Sequence, residues 1–164
     1  KHRYGNTPPS LLLLSFIWAF RKYEICTSSF DKRLCKIVMK FAQVLNSIEI
    51  SAGTQIGEGF YVGHLYCITI NPKAILGKNV NIHKGVTIGQ ENRGKRVGVP
   101  RIGNCVWIGV NSTIVGNIEI GDDVLIAPNS YVNCDVPSHS IVFGNPCIIK
   151  SRQAATEGYI NNII

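Results

Sequence analysis

His64 is the residue best suited to acid–base chemistry in this chain, because it follows Val62 and Gly63 at a break in an otherwise regular repeat. A side chain at such a break can leave the packed wall and face a cleft. Histidine side chains titrate near neutral pH, so an imidazole can remove a proton from an alcohol. Such a base works best when a carboxylate fixes its tautomer. Glu49, fifteen residues earlier, is the candidate from the preceding coil; Glu58 is nearer in the sequence but less well matched.

His83 and a group of cations are candidates for contacting a substrate. His83 directly follows Ile82, at the position of the repeat that glycine often occupies, so its side chain is expected at an outer corner. Arg93 and Arg96 belong to a cationic stretch between residues 89 and 101. Clustered cations raise the local concentration of anions, which favours a phosphate or anionic-substrate site. A solvated loop is the alternative.

The cysteines and histidines do not predict a metal site. Six cysteines are scattered without a Cys-x-x-Cys pair and are expected to be buried free thiols of a reducing compartment. A zinc solenoid of the carbonic anhydrase type needs three histidine ligands, and His64 and His83 have no third at a suitable spacing. We therefore expect no metal, and the chemistry requires no cysteine nucleophile.

A six-residue repeat must position these side chains. An aliphatic residue recurs at every sixth position from Ile102 to Val132, a period that fits neither a helix nor simple alternation. Such self-similarity is typical of a hexapeptide-repeat solenoid, in which three hexads make one coil. The same period is present upstream and predicts an all-β solenoid, a parallel β-helix over residues 49–150. The aliphatic positions are Ile50, Ile56, Val62, Ile70, Leu76, Ile82, Ile88, Ile102, Ile108, Ile114, Ile120, Ile126 and Val132.

Two interruptions break the six-residue spacing of the aliphatic positions. The first is a two-residue slip between His64 and Thr69, and the second is residues 89–101, where the phase advances by fourteen residues instead of twelve. An interruption in a solenoid forms a loop on one face, which is often the binding face. Both interruptions are therefore expected near the site.

Residues 1–48 precede the repeat and predict a short helical segment. Residues 10–20 are almost entirely apolar but too short to span a bilayer. A second stretch has apolar residues at helical spacing, at Leu34, Ile37, Val38, Phe41 and Leu45. We expect two helices that cap the rod or pack in an oligomer. The alternative is that residues 10–45 lie on a membrane surface, with cations toward anionic lipid.

Composition is that of one compact domain with a short C-terminal tail at residues 151–164. The chain has 164 residues, 45% of them hydrophobic, and a net charge of +7. Nucleic-acid binding is not expected, because there is no recognised motif and no interleaving of aromatic with basic residues. No secretory signal is evident. We expect a cytoplasmic protein, with peripheral contact at the inner membrane face as the alternative.

The chain resembles the serine acetyltransferase branch of the hexapeptide-repeat acyltransferases. The matching stretches are IGEGFYVGH, INPKAILGKNVNIHKGVTIG, VPRIGNCVWIGVNSTIVGNIEIGDDVLIAPNSYVNCDVP and VFGNP. The resemblance implies a left-handed β-helix, assembly as a homotrimer and acetyl-CoA as donor. It also implies an active site between neighbouring rods.

The resemblance assigns a role to each matching position. His64 corresponds to the general base, and Glu49 to the acidic residue that orients it. The positions implied to contact the pantetheine arm, the adenine end or a phosphate of the cofactor are Gly109, Val110, Ser112, Ala127, Pro128, Gly144, Asn145, Pro146 and Lys150.

Two departures from the family pattern concern the acceptor. Serine acetyltransferases commonly have an aspartate before the catalytic histidine and a histidine before the loop proline, where this chain has Gly63 and Val99. A polar ligand buried without partners is destabilised by roughly 1–3 kcal/mol per group. The sequence therefore favours O-acetylation of a sugar in surface polysaccharide synthesis. The alternative is the serine O-acetyltransferase of cysteine biosynthesis, which the terminal Ile164 favours because that family docks a C-terminal isoleucine into the next enzyme. A non-catalytic solenoid is the third class.

Overall fold

The computed structural model describes residues 2–4 and 9–164, in which a parallel β-solenoid follows two helices. The helices are α1 (Leu11–Ile25) and α2 (Ser29–Asn46). The first seven strands are β1 (Glu49–Ile50), β2 (Gln55–Ile56), β3 (Tyr61–Val62), β4 (Thr69–Ile70), β5 (Ile75–Leu76), β6 (Asn81–Ile82) and β7 (Thr87–Gly89). The others are β8 (Arg101–Ile102), β9 (Val106–Ile108), β10 (Thr113–Val115), β11 (Glu119–Ile120), β12 (Val124–Ile126), β13 (Tyr131–Val132), β14 (Ser140–Phe143) and β15 (Ile148–Ser151).

Every third strand returns to the same side of the rod, which gives three faces. Face A is β1-β4-β7-β10-β13, face B is β2-β5-β8-β11, and face C is β3-β6-β9-β12-β14-β15. All pairings are parallel except the last, in which β15 runs antiparallel to β14. The expected parallel solenoid of hexapeptide repeats is confirmed. We call the end formed by β1–β3 the lower end and the end formed by β13–β15 the upper end.

The core consists of the aliphatic residues that set the repeat. Ile82, Ile108 and Ile126 stack directly on one another on face C, and each is fully buried. Burying an aliphatic side chain of this size contributes about 1.5–3 kcal/mol relative to leaving it exposed. Because one such residue recurs in each hexad, the three faces close around a continuous apolar column.

Both interruptions are present, and the second differs from its predicted size. Glu49 pairs with Thr69 twenty residues on, where a regular coil has eighteen, so the two-residue slip is confirmed. Thr87 pairs with Thr113, twenty-six residues on. The advance of fourteen residues from Ile88 to Ile102 therefore replaces one hexad and not two, since Ile88 lies on face A and Ile102 on the next face, B.

The helices are present as predicted, and α1 closes the lower end of the rod. Its buried residues, among them Phe16 and Phe20, pack with Ile50 and Ile56 of the first coil. Arg21 donates hydrogen bonds of 2.5 Å to the carbonyl oxygens of Ile56 and Gly57. Within the described residues, neither helix has the length and apolarity required to cross a membrane.

Helix α2 does not bury the apolar row that predicted it. The residues it turns toward α1 and the rod are Cys35, Met39 and Ala42. Most of the row, including Ile37 and Phe41, is exposed on the opposite side. The spacing therefore predicted the helix correctly, but the face that packs in the fold is the smaller and less apolar one.

The cysteines are unpaired, as expected, but they are not uniformly buried. Cys35 is buried in the helical hairpin, whereas Cys67 is exposed at the first interruption. The other four are half-buried.

Candidate active site

Most of the sequence-predicted site residues lie along one edge of the rod. The chain turns there from face C to face A, and we call this edge the CA corner. Strand register aligns Val62, Ile82, Ile108, Ile126 and Val142 on face C. The residues that follow them therefore stack along the CA corner in the order Gly63, His83, Gly109, Ala127 and Phe143.

His64 lies at the lower part of this corner, where the first interruption lets the side chain leave the wall. Its side chain is exposed and borders a cleft of about 590 Å³ on the adjoining part of face C. His83 and Trp107, from the two coils above, line the same cleft, and so does Tyr159 of the C-terminal tail. The predicted catalytic and substrate-contacting histidines are thus brought together.

Aromatic rings form a continuous row along the cleft. The ring centroids of His64 and His83 are 6.3 Å apart, and those of His83 and Trp107 are 4.9 Å apart. Tyr159 continues the row, its ring centroid 5.0 Å from that of Trp107 in an edge-on arrangement. Such contacts fix the orientations of the rings, whose planes are inclined to one another by 51° to 64°.

The surroundings of His83 disfavour the charged form of its ring. Burial lowers its pKa below the ordinary value of 6.5, and the positive charge of a protonated His64 lowers it further. Its Nε2 atom is buried and has no hydrogen-bond partner among the described residues. A neutral imidazole with one free ring nitrogen can donate to or accept from a polar ligand, according to its tautomer.

Gly63 allows His83 to take this position. A Cβ atom at residue 63 would lie 2.4 Å from His83 Nδ1, closer than unbonded atoms approach. The space that a larger residue would occupy before His64 is therefore filled by the imidazole of the coil above. This is the physical reason for the first of the two departures from the family pattern.

The predicted carboxylate partner of His64 is not in hydrogen-bond contact with it. Glu49 begins β1 on face A and is exposed, and among the described residues it makes no ion pair or side-chain hydrogen bond. The described lining of the cleft contains no Asp or Glu. Glu58 is engaged elsewhere, 3.2 Å from Lys78 Nζ. The role of Glu49 stays a prediction.

The upper part of the CA corner offers backbone and small side chains. Gly109 N donates to Ile126 O at 2.8 Å, and Asn129 N donates to Val110 O at 2.9 Å. A Cβ at Gly109 would lie 2.5 Å from Pro128 N, so only glycine lets these two coils stack. Val110 and Ala127 are half-buried and Pro128 is exposed. No long side chain projects from these four positions.

The prediction for Ser112 needs correction. The residue is fully buried, and its Oγ donates to Ala127 O at 2.9 Å. It thereby fixes the corner of the coil above but has no surface with which to contact a cofactor. Ser112 is three positions beyond the corner residue Gly109, and the side chain at this position of the coil turns inward.

The predicted phosphate end lies at the top of the same corner. Gly144, Asn145 and Pro146 form an exposed turn between β14 and β15. Lys150 is exposed on β15, with Nζ 5.6 Å from the centre of the Phe143 ring. Because Lys150 is exposed, its charge is accessible to an anion at the upper end of the corner.

Arg93 and Arg96 are not part of this site within one chain. They lie in the long loop that leaves face A toward face B, at a different corner of the rod. Arg96 Nε contacts Glu91 Oε2 at 3.4 Å, and Arg93 borders a shallow pocket with Tyr131. A single rod therefore does not bring these two residues to the cleft beside His64, and their contact with a substrate stays a prediction.

The sequence analysis missed residues that arrive from both ends of the chain. Arg3, which is buried, donates to Asn81 Oδ1, to Asn161 O and, at 2.9 Å, to Gly59 O. Trp107 was overlooked as an outward-facing residue of β9. The register places it beside Asn81, so correct alignment of the coils across the long loop could have found it.

The C-terminal tail is fastened across face C. Asp123 accepts hydrogen bonds from His139 Nδ1, Ala155 N, Thr156 N and Thr156 Oγ1, at 2.7–3.0 Å. Burial raises the pKa of Asp123, but these hydrogen bonds outweigh that effect and lower it to about 2. At the lower end, Asn79 exchanges two hydrogen bonds with the backbone of Ile164. Tyr159 is thus held over the cleft.

Metal binding has no supporting geometry in this part of the molecule. No group of three or more His, Cys, Asp or Glu side chains that could hold an ion is found in residues 2–4 and 9–164.

Comparisons with known proteins agree with this geometry. Residues 100–134 match the family model for bacterial transferase hexapeptide (six repeats). A serine acetyltransferase of Helicobacter pylori is 31% identical over 138 residues, which is 82% of this chain and 81% of that protein. Serine acetyltransferase 2 of Arabidopsis thaliana is 43% identical over 101 residues, 60% of this chain and 31% of its own length.

Solved structures give the same result. The structure of Neisseria gonorrhoeae serine acetyltransferase in complex with serine superposes on this chain with a TM-score of 0.72 and 30% sequence identity. The superposed region is 92% of this chain and 65% of the Neisseria chain. A serine acetyltransferase in complex with CoA superposes with a TM-score of 0.71 and 27% sequence identity. The superposed region is 86% of this chain and 58% of that one. The chain therefore spans about a third of the Arabidopsis relative and under two thirds of either solved structure. Its fold and its match over most of the Helicobacter protein show that the chain belongs to the serine acetyltransferase family of hexapeptide-repeat transferases.

Proposed function

We propose that this chain is an acetyl-CoA-dependent O-acetyltransferase in which His64 is the general base. The observation that carries the proposal is the position of His64, exposed beside a cleft at the lower end of the CA corner. The serine acetyltransferase solved in complex with CoA supports acetyl-CoA as donor.

In the proposed reaction, His64 removes the proton from an acceptor hydroxyl. The resulting oxygen attacks the carbonyl carbon of the acetyl thioester, the C–S bond breaks, and CoA leaves as a thiolate that takes up the proton. General-base catalysis of this kind contributes about 10²–10⁴-fold. Holding both substrates along one corner contributes further, because it replaces an encounter between free molecules.

The upper corner is the proposed binding surface for the donor. The strip formed by Gly109, Val110, Ala127 and Pro128 would lie under the pantetheine arm, with Lys150 and the turn at 144–146 at the phosphate and adenine end. Glu49 is retained as the orienting group, since catalytic hydrogen bonds are often long before substrate binds.

L-serine is the proposed acceptor. The relative that matches over most of its own length is a serine acetyltransferase, and the Neisseria structure was solved with serine. In the cleft, Asn161 and Asn162 of the tail are exposed polar residues that could orient a small zwitterion beside His64.

A sugar hydroxyl is the second candidate, and one observation favours it. The place of a carboxylate before His64 is filled by the His83 ring above Gly63, which removes the partner that an amino group would need. The aromatic row of His83, Trp107 and Tyr159 offers ring faces of the kind on which a sugar ring can stack. This is the acceptor that the sequence departures favoured.

We further propose assembly as a homotrimer, in which a neighbouring rod completes the cleft. Arg93 and Arg96, which lie at another corner of their own rod, could reach an acceptor only across such an interface. The mass of the purified protein in solution tests this directly.

The experiment that tests the function follows CoA thiol release from acetyl-CoA with L-serine, with a panel of nucleotide sugars, and without acceptor. Acceptor-dependent release that is lost in His64→Asn supports the proposal, and the acceptor that gives it separates the two candidates. Absence of release with every acceptor, or equal release by His64→Asn, contradicts it. A folded-state spectrum of the variant matching that of the wild type is the control.

A further inference from the structure

Helix α2 carries a large apolar surface that the fold does not use. Six large apolar residues on one side of it are between 44% and 76% exposed. At 3.6 residues per turn they fall within an arc of about 100°. The six residues, which we call the α2 stripe, are Phe30, Leu34, Ile37, Phe41, Val44 and Leu45.

The α2 stripe points away from the rest of the chain. The residues of α2 that pack in the core are Cys35, Met39 and Ala42, on the opposite side of the helix. The stripe runs from Phe30 to Leu45, about 22 Å at 1.5 Å per residue. A continuous apolar strip of this length marks an interaction surface.

Cations border the stripe along one edge. Arg33, Lys36 and Lys40 follow each other at three- and four-residue spacing and are all exposed. Asp31, the one acidic residue of α2, lies near the other edge. The surface therefore combines an apolar strip with a positive margin.

Most of the net charge of the protein is in this part of the chain. Residues 1–48 contain eight Lys and Arg against two Asp and Glu, a net +6 of the total +7. The remaining 116 residues, which form the rod and tail, have a net charge of only +1. The positive field is thus concentrated at the end of the molecule that carries the α2 stripe.

We propose that the α2 stripe docks on the surface of an anionic lipid bilayer, with the stripe in the acyl boundary and Arg33, Lys36 and Lys40 at the headgroups. An amphipathic helix with an apolar face and basic margins binds such an interface in two ways. Its apolar face is buried among the acyl chains, and its cations are attracted to the anionic headgroups. The inference does not depend on which acceptor the site uses.

Charge complementarity distinguishes lipid from a second copy of the chain. In an antiparallel pair of α2 helices the same edges meet, so three cations would face three cations. Like charges at such spacing are destabilising. An anionic headgroup layer instead meets the whole margin with opposite charge.

The test is flotation of the full-length chain with vesicles of phosphatidylcholine alone and of phosphatidylcholine with about a third phosphatidylglycerol. We expect binding to the anionic vesicles, weakened about tenfold or more on neutral vesicles and by high salt. The apolar variant Ile37→Asp with Phe41→Asp changes two exposed residues, so it should keep the fold and lose binding.

The charge variant Arg33→Gln, Lys36→Gln and Lys40→Gln should bind about tenfold or more weakly. Its matched control replaces three exposed cations of the rod and tail, Lys73→Gln, Arg101→Gln and Arg152→Gln, and should bind as the wild type does. Equal loss in both triple variants would mean that only net charge matters and would overturn the proposal. So would absence of vesicle binding, or binding that is equal on neutral vesicles.

A second-copy interface has its own signature. If the wild type does not float and Ile37→Asp with Phe41→Asp lowers the molecular mass in solution, the stripe joins two copies and the lipid proposal is wrong.

Discussion

The lower and upper parts of the CA corner share one register but present opposite chemistry. In the two lower coils the corner displays imidazole rings, at His64 and His83, beside a cleft that the tail partly covers. In the upper coils it presents the small residues Gly109 and Ala127 and then Phe143, beyond which the exposed turn at residues 144–146 begins. The same strand geometry thus provides reactive side chains at one end and a smooth strip at the other.

The difference shows how a repeat can separate catalysis from donor binding. The inward aliphatic residues are nearly interchangeable from coil to coil, so stability comes from the whole rod. Function comes from the residues that follow the face-C strands, which differ from coil to coil while the inward aliphatic residues do not. A reaction between two substrates would then take place where the two parts of the corner meet.

The largest effect on the smooth strip is expected from Gly109→Ala. Its Cβ would meet Pro128 N at 2.5 Å, a backbone atom that cannot move without shifting the coil. We expect a loss of about 2–3 kcal/mol in the free energy of unfolding and weaker acetyl-CoA binding. The measurement is chemical denaturation together with the KM for acetyl-CoA.

Gly89→Ala is the matched control for that change, because its Cβ would meet a mobile Val115 side-chain atom at 3.2 Å. It should change the free energy of unfolding by less than about 1 kcal/mol. Equal effects at the two glycines would show that the tight stacking at the CA corner has no special importance.

Asp123→Asn tests how the tail joins the two parts of the corner. Removing a charged acceptor from four hydrogen bonds should lower the free energy of unfolding by about 2 kcal/mol at neutral pH. The folded-state pKa is about 2, below the ordinary 3.8. The contribution of Asp123 is therefore complete above the unfolded-state pKa and is lost as pH falls toward 2.

Unfolding measured from pH 7 down to pH 2 should consequently show the wild type and Asp123→Asn converging at the acid end. A constant difference across that range would mean that the carboxylate charge does not stabilise the tail.

Gly63→Asp and His83→Ala test whether the imidazole occupies the space before His64. The single change at Gly63 must displace the ring, and His83→Ala removes the obstacle. The double variant should therefore be more stable than the sum of the single changes predicts, by about 1 kcal/mol. Additive changes in the free energy of unfolding would show that the two positions do not compete for space.

The smallest effect is expected from Lys150→Ala. A single exposed cation facing a phosphate contributes less than about 1 kcal/mol. The KM for acetyl-CoA should rise a few-fold without change in kcat, and the increase should disappear at high salt. A fall in kcat instead would place Lys150 outside donor binding.

The sequence predicted the solenoid because a six-residue period leaves few ways to fold. It missed the cleft wall for a definite reason. Counting the second interruption as two hexads would have put Ile102 on face C, and would have moved Trp107 away from His83. The packing of Arg3 and Tyr159 depends on side-chain contacts far apart in the chain, which no local pattern encodes.

The apolar row of α2 illustrates the same limit. Helical spacing predicted the helix, but spacing alone cannot tell a face that packs inside the fold from one that meets another surface. In the folded chain most of this row is exposed, so it is not the face that packs inside the fold.

The most direct test of the central claim is kcat for His64→Asn with acetyl-CoA and the best acceptor. A general base at this position predicts a fall of about 10²–10⁴-fold, with little change in the KM for acetyl-CoA or in the free energy of unfolding. A variant that keeps kcat within a few-fold of the wild type would contradict the assignment of His64 as the base.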